Sequence, residues 1–357
     1  MNKPWKREIC DMKLGLVMGT GGARVEIDMD LVREAEDLGF DSVWTSEAWG
    51  SDAISTASWI LAQTSKIKVG TGIIQMSART PAMAAMTAMT LQQLSGNRFI
   101  LGVGPSGPQV IEGWHGEAYG RPLTRTREYI EIIRKVLARE APLTHDGFHY
   151  HIPNTGPGTT GLGKPLKSVL HGDPSLRIIT GTIAPAGVRV SAEIADGMIP
   201  VFMNPDRFDV FEDALKDGFA KAGGGKSLDD FAITPFCAVN LDDDEQAGRQ
   251  PVRENLALYI GGMGARDKNF YNDYAKRLGH EGAAVEIQDH FLSGRRAEAQ
   301  AAVPDELIDQ VSLSGPAGKI SERLQDWKAA AKEKKVHSLL ARASSSEELR
   351  VLAKAVL

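Results

Sequence analysis

Glu47 and His115 are the side chains best placed to move a proton. Glu47 comes just past the apolar strand Ser42–Thr45, after Ser46 and two residues before Trp49. A carboxylate in that place either lines an active site or serves as a loop acid or helix N-cap. His115 sits in Gly113-Trp114-His115-Gly116, where it and Trp114 are open to the same two readings, pocket or surface. Between them lies Gly102-x-Gly104-x-x-Gly107, with Pro105, Ser106 and Pro108 interleaved, directly after Phe99-Ile100-Leu101. Glycines in such a loop let backbone N–H groups come close to a ligand, often a phosphate.

Other motifs carry less. The glycine spacing fits a dinucleotide fingerprint, but that motif belongs to a first strand–helix turn, with an acid about 20 residues on. Here it occurs in the fourth unit, and those later positions fall within the helix expected over Thr124–Glu140. Gly104-x-Ser106 is half a nucleophile elbow, but Pro108 stands where the second glycine belongs. Gly223-Gly224-Gly225-Lys226-Ser227 looks like the end of a phosphate loop. Ala220 replaces its leading glycine and a helix precedes it, so it reads as a helix C-cap and turn. His145, His149 and His151 have a zinc-like spacing, yet only Asp146 stands nearby to complete a set. They read as a solvated or hairpin-facing trio. Met83, Met86 and Met89 recur along one helix and read as core packing.

Strand and helix patterns alternate around these residues. Leu14–Val17 is a strand closed by Gly19–Gly22, and Asp28 can cap a helix with Leu31, Ala35 and Leu38 on one face. Ser42–Thr45, Ile67–Ile74 and Phe99–Val103 follow as strands. Helices over Ala53–Thr64 and from Thr80-Pro81 to Leu94 separate them. The rhythm resumes with strands at Leu176–Thr180, Gly197–Phe202, Phe231–Val239 and Val336–Ala341. Two stretches break it: Ala141–Ser175, rich in Gly, Pro, Thr and His, and Asp242–Ala301, a series of helices. The reading is a single domain over 1–357. Its about eight strands suit an eight-stranded α/β TIM barrel, with insertions at 141–175 and 242–301 after strands 4 and 7.

The chain has 357 residues, 42% hydrophobic and 24% charged, with a net charge of −5. No basic stripe stands out, so a nucleic-acid partner is not expected. No apolar run is long enough to span a membrane. The two cysteines, Cys10 and Cys237, suggest no disulfide framework, and the N-terminus lacks a signal-peptide core, so a reducing cytoplasm is the expectation.

Four blocks resemble the bacterial luciferase-like family, and within it the oxidoreductases that use the deazaflavin coenzyme F-420. They are DLGFDSVWTSEAWGSDA (37–53), IKVGTGIIQMSARTPAMAA (67–85), RFILGVGPSGPQVIEGWHG (98–116) and RVSAEIADGMIPVFMNP (189–205). LALYIGGMGARDKNFY (256–271) is similar to one F-420 branch. The resemblance implies a β/α barrel, usually dimeric, with the cofactor across its strand ends. Gly104, Pro105, Ser106 and Gly107 would cradle the phosphate-bearing tail, joined by Gly181, Thr182, Ile183 and Ala184. A non-proline cis peptide behind the ring maps to Gly72–Ile73, with Gln75 at the ring's rim and Glu47 and Ala48 nearby. The family's sugar-phosphate dehydrogenases use a histidine where this chain has Ala48 and an acid where it has Gly107, so glucose 6-phosphate is not the expected substrate. The implied reaction is hydride transfer between F-420 and a carbonyl or unsaturated organic small molecule, with Glu47 or His115 as the proton donor. An FMN-dependent monooxygenase is the alternative, and a barrel that binds without catalysis is a third reading.

Overall fold

Short strands, buried on both faces, alternate with helices that bury one stripe, and this alternation dictates a parallel sheet with helices packed outside it. The computed structural model describes residues 12–19 and 22–357. Cys10, the N-terminal stretch and part of the Gly19–Gly22 turn lie outside the described residues. The chain begins β1 (Lys13–Val17), α1 (Met29–Leu38), β2 (Ser42–Thr45), α2 (Ala53–Gln63), β3 (Lys68–Thr71), β4 (Ile74–Gln75) and α3 (Pro81–Leu94). Next are β5 (Phe99–Gly104), α4 (Pro108–Gly113), α5 (Pro122–Ala138) and a hairpin of β6 (His145–Asp146) and β7 (His151–Ile152). Then come β8 (Ile178–Gly181), α6 (Pro185–Ile194), β9 (Gly197–Ile199), α7 (Asp209–Ala222), β10 (Ala232–Ile233) and β11 (Phe236–Leu241). Helices α8 (Glu245–Gly262), α9 (Phe270–Arg277), α10 (Glu281–Leu292), α11 (Arg296–Ala301) and α12 (Asp305–Val311) follow in series. The chain ends β12 (Ser312–Gly315), α13 (Ala317–Lys332), β13 (Ser338–Arg342) and α14 (Ser346–Val356).

The termini of these elements follow local chemistry. Asp28 accepts from the backbone N–H groups of Asp30 and Leu31 at the start of α1, and Gly39 ends that helix at φ +91°. Thr80 caps α3 with Pro81 in its first turn. Gly223, Gly224 and Gly225 all take positive φ after α7, and Lys226 donates to the carbonyl of Ala195 at 2.6 Å, so GGGKS is a helix-ending turn.

The large sheet runs β10-β9-β8-β5-β3-β2-β1-β13-β11-β12, with β4 beside β5, and its strand pairings are parallel. It curls on itself. β10 and β11 are separated only by Thr234 and Pro235, yet β10 pairs with β9 while β11 pairs with β13 and β12. A bridge from Val201 to Phe236 spans the same gap. Val17, Trp44, Ile100, Ile179, Ile199 and Leu340 form one small buried cluster, with Ile73 and Phe236 packed on it. The larger core joins the sheet to its helices. Gly70 exists for the Trp44 indole: a Cβ there would stand 2.5 Å from the ring.

Three details depart from the expected pattern. The strand expected over Ile67–Ile74 breaks after Thr71 and restarts at Ile74. β12 was not anticipated, because Ser312-Leu313-Ser314-Gly315 holds one apolar side chain and gives no pattern. Met89 is buried, but Met83 and Met86 are 52% and 55% exposed, which corrects the core reading of that stripe. Ala84, Ala85 and Ala88 are fully buried instead, so a small-residue stripe brings α3 against its neighbours.

The histidine-rich hairpin is organised by one carboxylate. Buried Glu128 accepts from the backbone N–H groups of Phe148, His149 and Tyr150 at 2.8–3.1 Å. His145 lies 3.6 Å from it, and His151 bonds Asp146 at 2.9 Å. Burial alone would raise the Glu128 pKa, but the three N–H donors outweigh it and hold the group below the usual carboxylate range. A depressed folded pKa stabilises above the unfolded value and is lost as pH falls through the folded one. Glu128→Gln should therefore cost about 1–3 kcal/mol at neutral pH. The gap in thermal unfolding between variant and wild type should narrow as pH falls through the ordinary carboxylate range, and close only below the depressed folded value.

Candidate functional site

One extra residue in the sheet shapes this region. β3 pairs with β5 at Gly70–Ile100, and β4 resumes at Ile74–Val103. Four steps on one side (70 to 74) face three on the other (100 to 103), which makes a bulge. Within it the Gly72–Ile73 peptide is cis. Glycines make room for the bulge. A Cβ at Gly104 would lie 2.9 Å from Ile73 Cγ1, one at Gly181 3.1 Å from Ile73 Cγ2, and one at Gly72 2.6 Å from the Phe236 ring. Ile73 and Phe236 rest on the small buried cluster but stay partly exposed themselves. Ile73 follows β3 and Phe236 opens β11, so both leave apolar surface next to the bulge.

Glu47 anchors this bulge. Its Oε1 accepts from the backbone N–H of Gln75 at 2.8 Å and from Arg79 Nη1 at 2.5 Å, while Oε2 accepts from the N–H of Ala53 at 3.1 Å. The side chain is only 7% exposed. Arg79 also pairs with Asp52. Burial would lower the Arg79 pKa, but Glu47 and Asp52 outweigh it and hold the guanidinium firmly charged. Glu47 is thus a fully engaged acceptor tying the β2 loop to β4 and the start of α2.

Gln75 is the hub. Its buried carboxamide donates to the Ala48 carbonyl at 3.0 Å and reaches Ser106 Oγ at 3.3 Å. The Ala48 carbonyl can only accept, so Nε2 must face it and Oε1 must face His115 Nε2, 2.5 Å away. This orientation follows from the hydrogen-bond network. His115 therefore carries its proton on Nε2, and Nδ1 is the ring nitrogen able to take or give one. Tyr119 donates to the Ser106 carbonyl at 3.0 Å, and burial raises its pKa. Ser106 itself sits at φ +59°.

Glu47, Ala48, Gln75, Ser106 and His115 are therefore joined by hydrogen bonds, and Gly72, Ile73, Gly104 and Gly181 by contact. Pro105 and Gly107 share the β5 loop, where a Cβ on Gly107 would meet only the Gln109 side chain. Thr182, Ile183 and Ala184 continue from Gly181. Ala184 opens α6 with no side-chain cap, and the Ile183 carbonyl accepts from Arg277 Nη2 at 3.1 Å. The sequence reading missed Arg79, Tyr119 and Arg277. It also missed an aromatic group in which the Tyr259 ring lies 5.4 Å from Phe202 and 4.8 Å from Tyr271. Lone arginines and tyrosines in loops or inserted helices carry no spacing signal, so only the folded chain identifies them.

The chain is similar to known proteins along most of its length. The luciferase-like monooxygenase family model matches residues 13–333. A protein of Mycobacterium tuberculosis named for coenzyme F-420-dependent oxidoreductase activity is 44% identical, over 96% of this chain and 98% of its own. A 5,10-methylenetetrahydromethanopterin reductase of Archaeoglobus fulgidus is 28% identical over 84% and 85%. The solved structure of the F-420-dependent tetrahydromethanopterin reductase of Methanopyrus kandleri superposes with a TM-score of 0.76 at 21% identity, over 97% and 99% of the two chains. On the extent of the family match and the 44% relative, this chain belongs to the luciferase-like monooxygenase family.

Proposed function

We propose that this protein is an oxidoreductase moving a hydride between coenzyme F-420 and a small organic molecule with a carbonyl or unsaturated bond. The observation that carries it is the bulge, where partly exposed Ile73 and Phe236 offer an apolar floor and Gly104 and Gly181 lie against Ile73. A planar heterocycle with a phosphate-bearing side arm fits such a floor and the loops after those glycines. The 44% relative, named for F-420, supports that cofactor over FMN. In this reading the sheet closes as an eight-stranded barrel, with β3 and β4 as one strand, β10 and β11 as another, and β12 added outside the ring on β11; 141–175 and 242–301 are insertions in a single domain.

When bound, F-420 supplies the hydride donor or acceptor. The β5 loop Gly104–Gly107 and the β8 loop Gly181–Ala184 hold its phosphate-bearing tail. Ala48, Gly72, Ile73 and Gln75 lie along the ring. Glu47 keeps the bulge and Gln75 in register. His115 exchanges a proton with substrate through Nδ1. Phe202, Tyr259 and Tyr271 give the substrate an aromatic wall. Trp59 on α2 and Met83 and Met86 on α3 are exposed apolar side chains, and they are assigned to contact with a second copy of the chain, as a homodimer.

Titration with F-420 and with FMN, followed by absorbance, tests the cofactor. F-420 should bind and FMN should not compete. Tight FMN binding without affinity for F-420 would overturn the reading.

A further inference from the structure

Arg277 is an uncompensated cation at the edge of the β8 loop. It ends α9, within the helical series 242–301. Its Nη2 donates to the Ile183 carbonyl at 3.1 Å, and its Nε is buried with no hydrogen-bond partner among the described residues. The Tyr274 ring lies 5.4 Å from its guanidinium carbon. No carboxylate stands within ion-pair distance of it among the described residues. The contrast with the neighbouring arginines is sharp. Arg249 pairs with Glu245, Asp305 and Asp309, Arg253 with Asp305, and Arg207 with Asp209. A half-buried guanidinium with only a carbonyl and a ring beside it keeps a large unmet demand for an anion. Its lowered pKa states the same imbalance: burial disfavours the charge more than Tyr274 and Asp273 restore it.

We infer that Arg277 is a ligand for the phosphodiester in the cofactor's tail, reaching it across the β8 loop from the inserted helices. This rests on the F-420 reading above and adds a residue to it. The β8 loop offers main-chain N–H groups but no cation of its own, since Gly181, Thr182, Ile183 and Ala184 are all uncharged. A guanidinium is the side chain suited to phosphate, presenting several donors in one plane. The same demand for an anion could be met by an anionic substrate, and the test separates the two sources.

The probes are F-420 and the same deazaflavin cut back to its phosphate-free riboside, titrated by fluorescence into wild type and Arg277→Met. Wild type should bind F-420 more tightly than the riboside. Arg277→Met should weaken F-420 about 10–30-fold, the size of a charge-assisted contact, and leave the riboside unchanged. Arg277→Lys should recover part of the loss. Equal binding of F-420 to wild type and Arg277→Met would overturn the inference and leave the cofactor reading standing, with the anion then assigned to substrate. Equal weakening of both probes would also overturn it, as a structural effect. Failure of wild type to bind either probe would instead overturn the cofactor reading, and this assignment with it.

Discussion

Gly102→Ala should abolish the folded protein or lower its stability by more than about 4 kcal/mol. A Cβ at this position would stand 1.7 Å from the carbonyl oxygen of Thr71, inside any permissible contact, and the obstacle is backbone. The approach follows from the extra residue between β3 and β4. Where the two strands part, the Thr71 hydroxyl replaces the missing ladder bonds, donating to the Gly102 carbonyl at 2.8 Å and accepting its N–H at 2.9 Å. Both residues are fully buried, so neither backbone can retreat without opening the core. Thr71→Val is the companion test. It removes both bonds with little change of volume and strands a buried N–H and C=O, at about 2–4 kcal/mol. Soluble yield and thermal unfolding measure both variants. A folded Gly102→Ala protein with wild-type stability would show that the bulge does not bring these strands together as described.

That glycine explains how far the sequence could be read. Gly102-x-Gly104-x-x-Gly107 stood out because glycines after an apolar run suggest a ligand loop. In the fold, Gly102 yields to the Thr71 carbonyl and Gly104 to the Ile73 side chain, and only Gly107 has nothing but a flexible side chain, Gln109, against it. Two of the three glycines thus record a contact within the sheet, which a motif cannot distinguish from a contact with phosphate. The strand and helix order was legible because apolar runs, Asp28, Thr80-Pro81 and Gly39 are local signals acting on their own turn. β12 was not, since its register comes from pairing with β11 and not from its own residues. Glu47 and His115 were visible as residues at strand ends, but their different engagements were hidden. Those depend on Arg79, Ala53 and Gln75, up to 40 positions away along the chain.

Glu47 and His115 should separate cleanly when each is substituted. His115→Ala removes the Nδ1 proton carrier while leaving Gln75 held by Ala48 and Ser106. Turnover of whichever carbonyl or unsaturated substrate the wild type accepts should fall about 10²–10⁴-fold, the range for losing a general acid or base. Deazaflavin binding and thermal stability should stay near wild type, because His115 is half-buried and bonds to one side chain. Gln75→Leu should lower turnover as well, since it frees the imidazole to rotate, and should also strand the Ala48 carbonyl. Glu47→Gln acts by another route. The new amide places a donor beside Ala53 N–H or beside Arg79, and the guanidinium keeps only Asp52 as a charged partner. A loss of about 2–3 kcal/mol follows, at the low end for breaking a buried pair because one partner remains. Turnover per folded molecule should drop less than in His115→Ala, and only as far as Gln75 shifts. Full turnover in His115→Ala and Glu47→Gln alike would place the proton donor elsewhere, and the Tyr119 hydroxyl, bonded to the Ser106 carbonyl, would be the next group to replace.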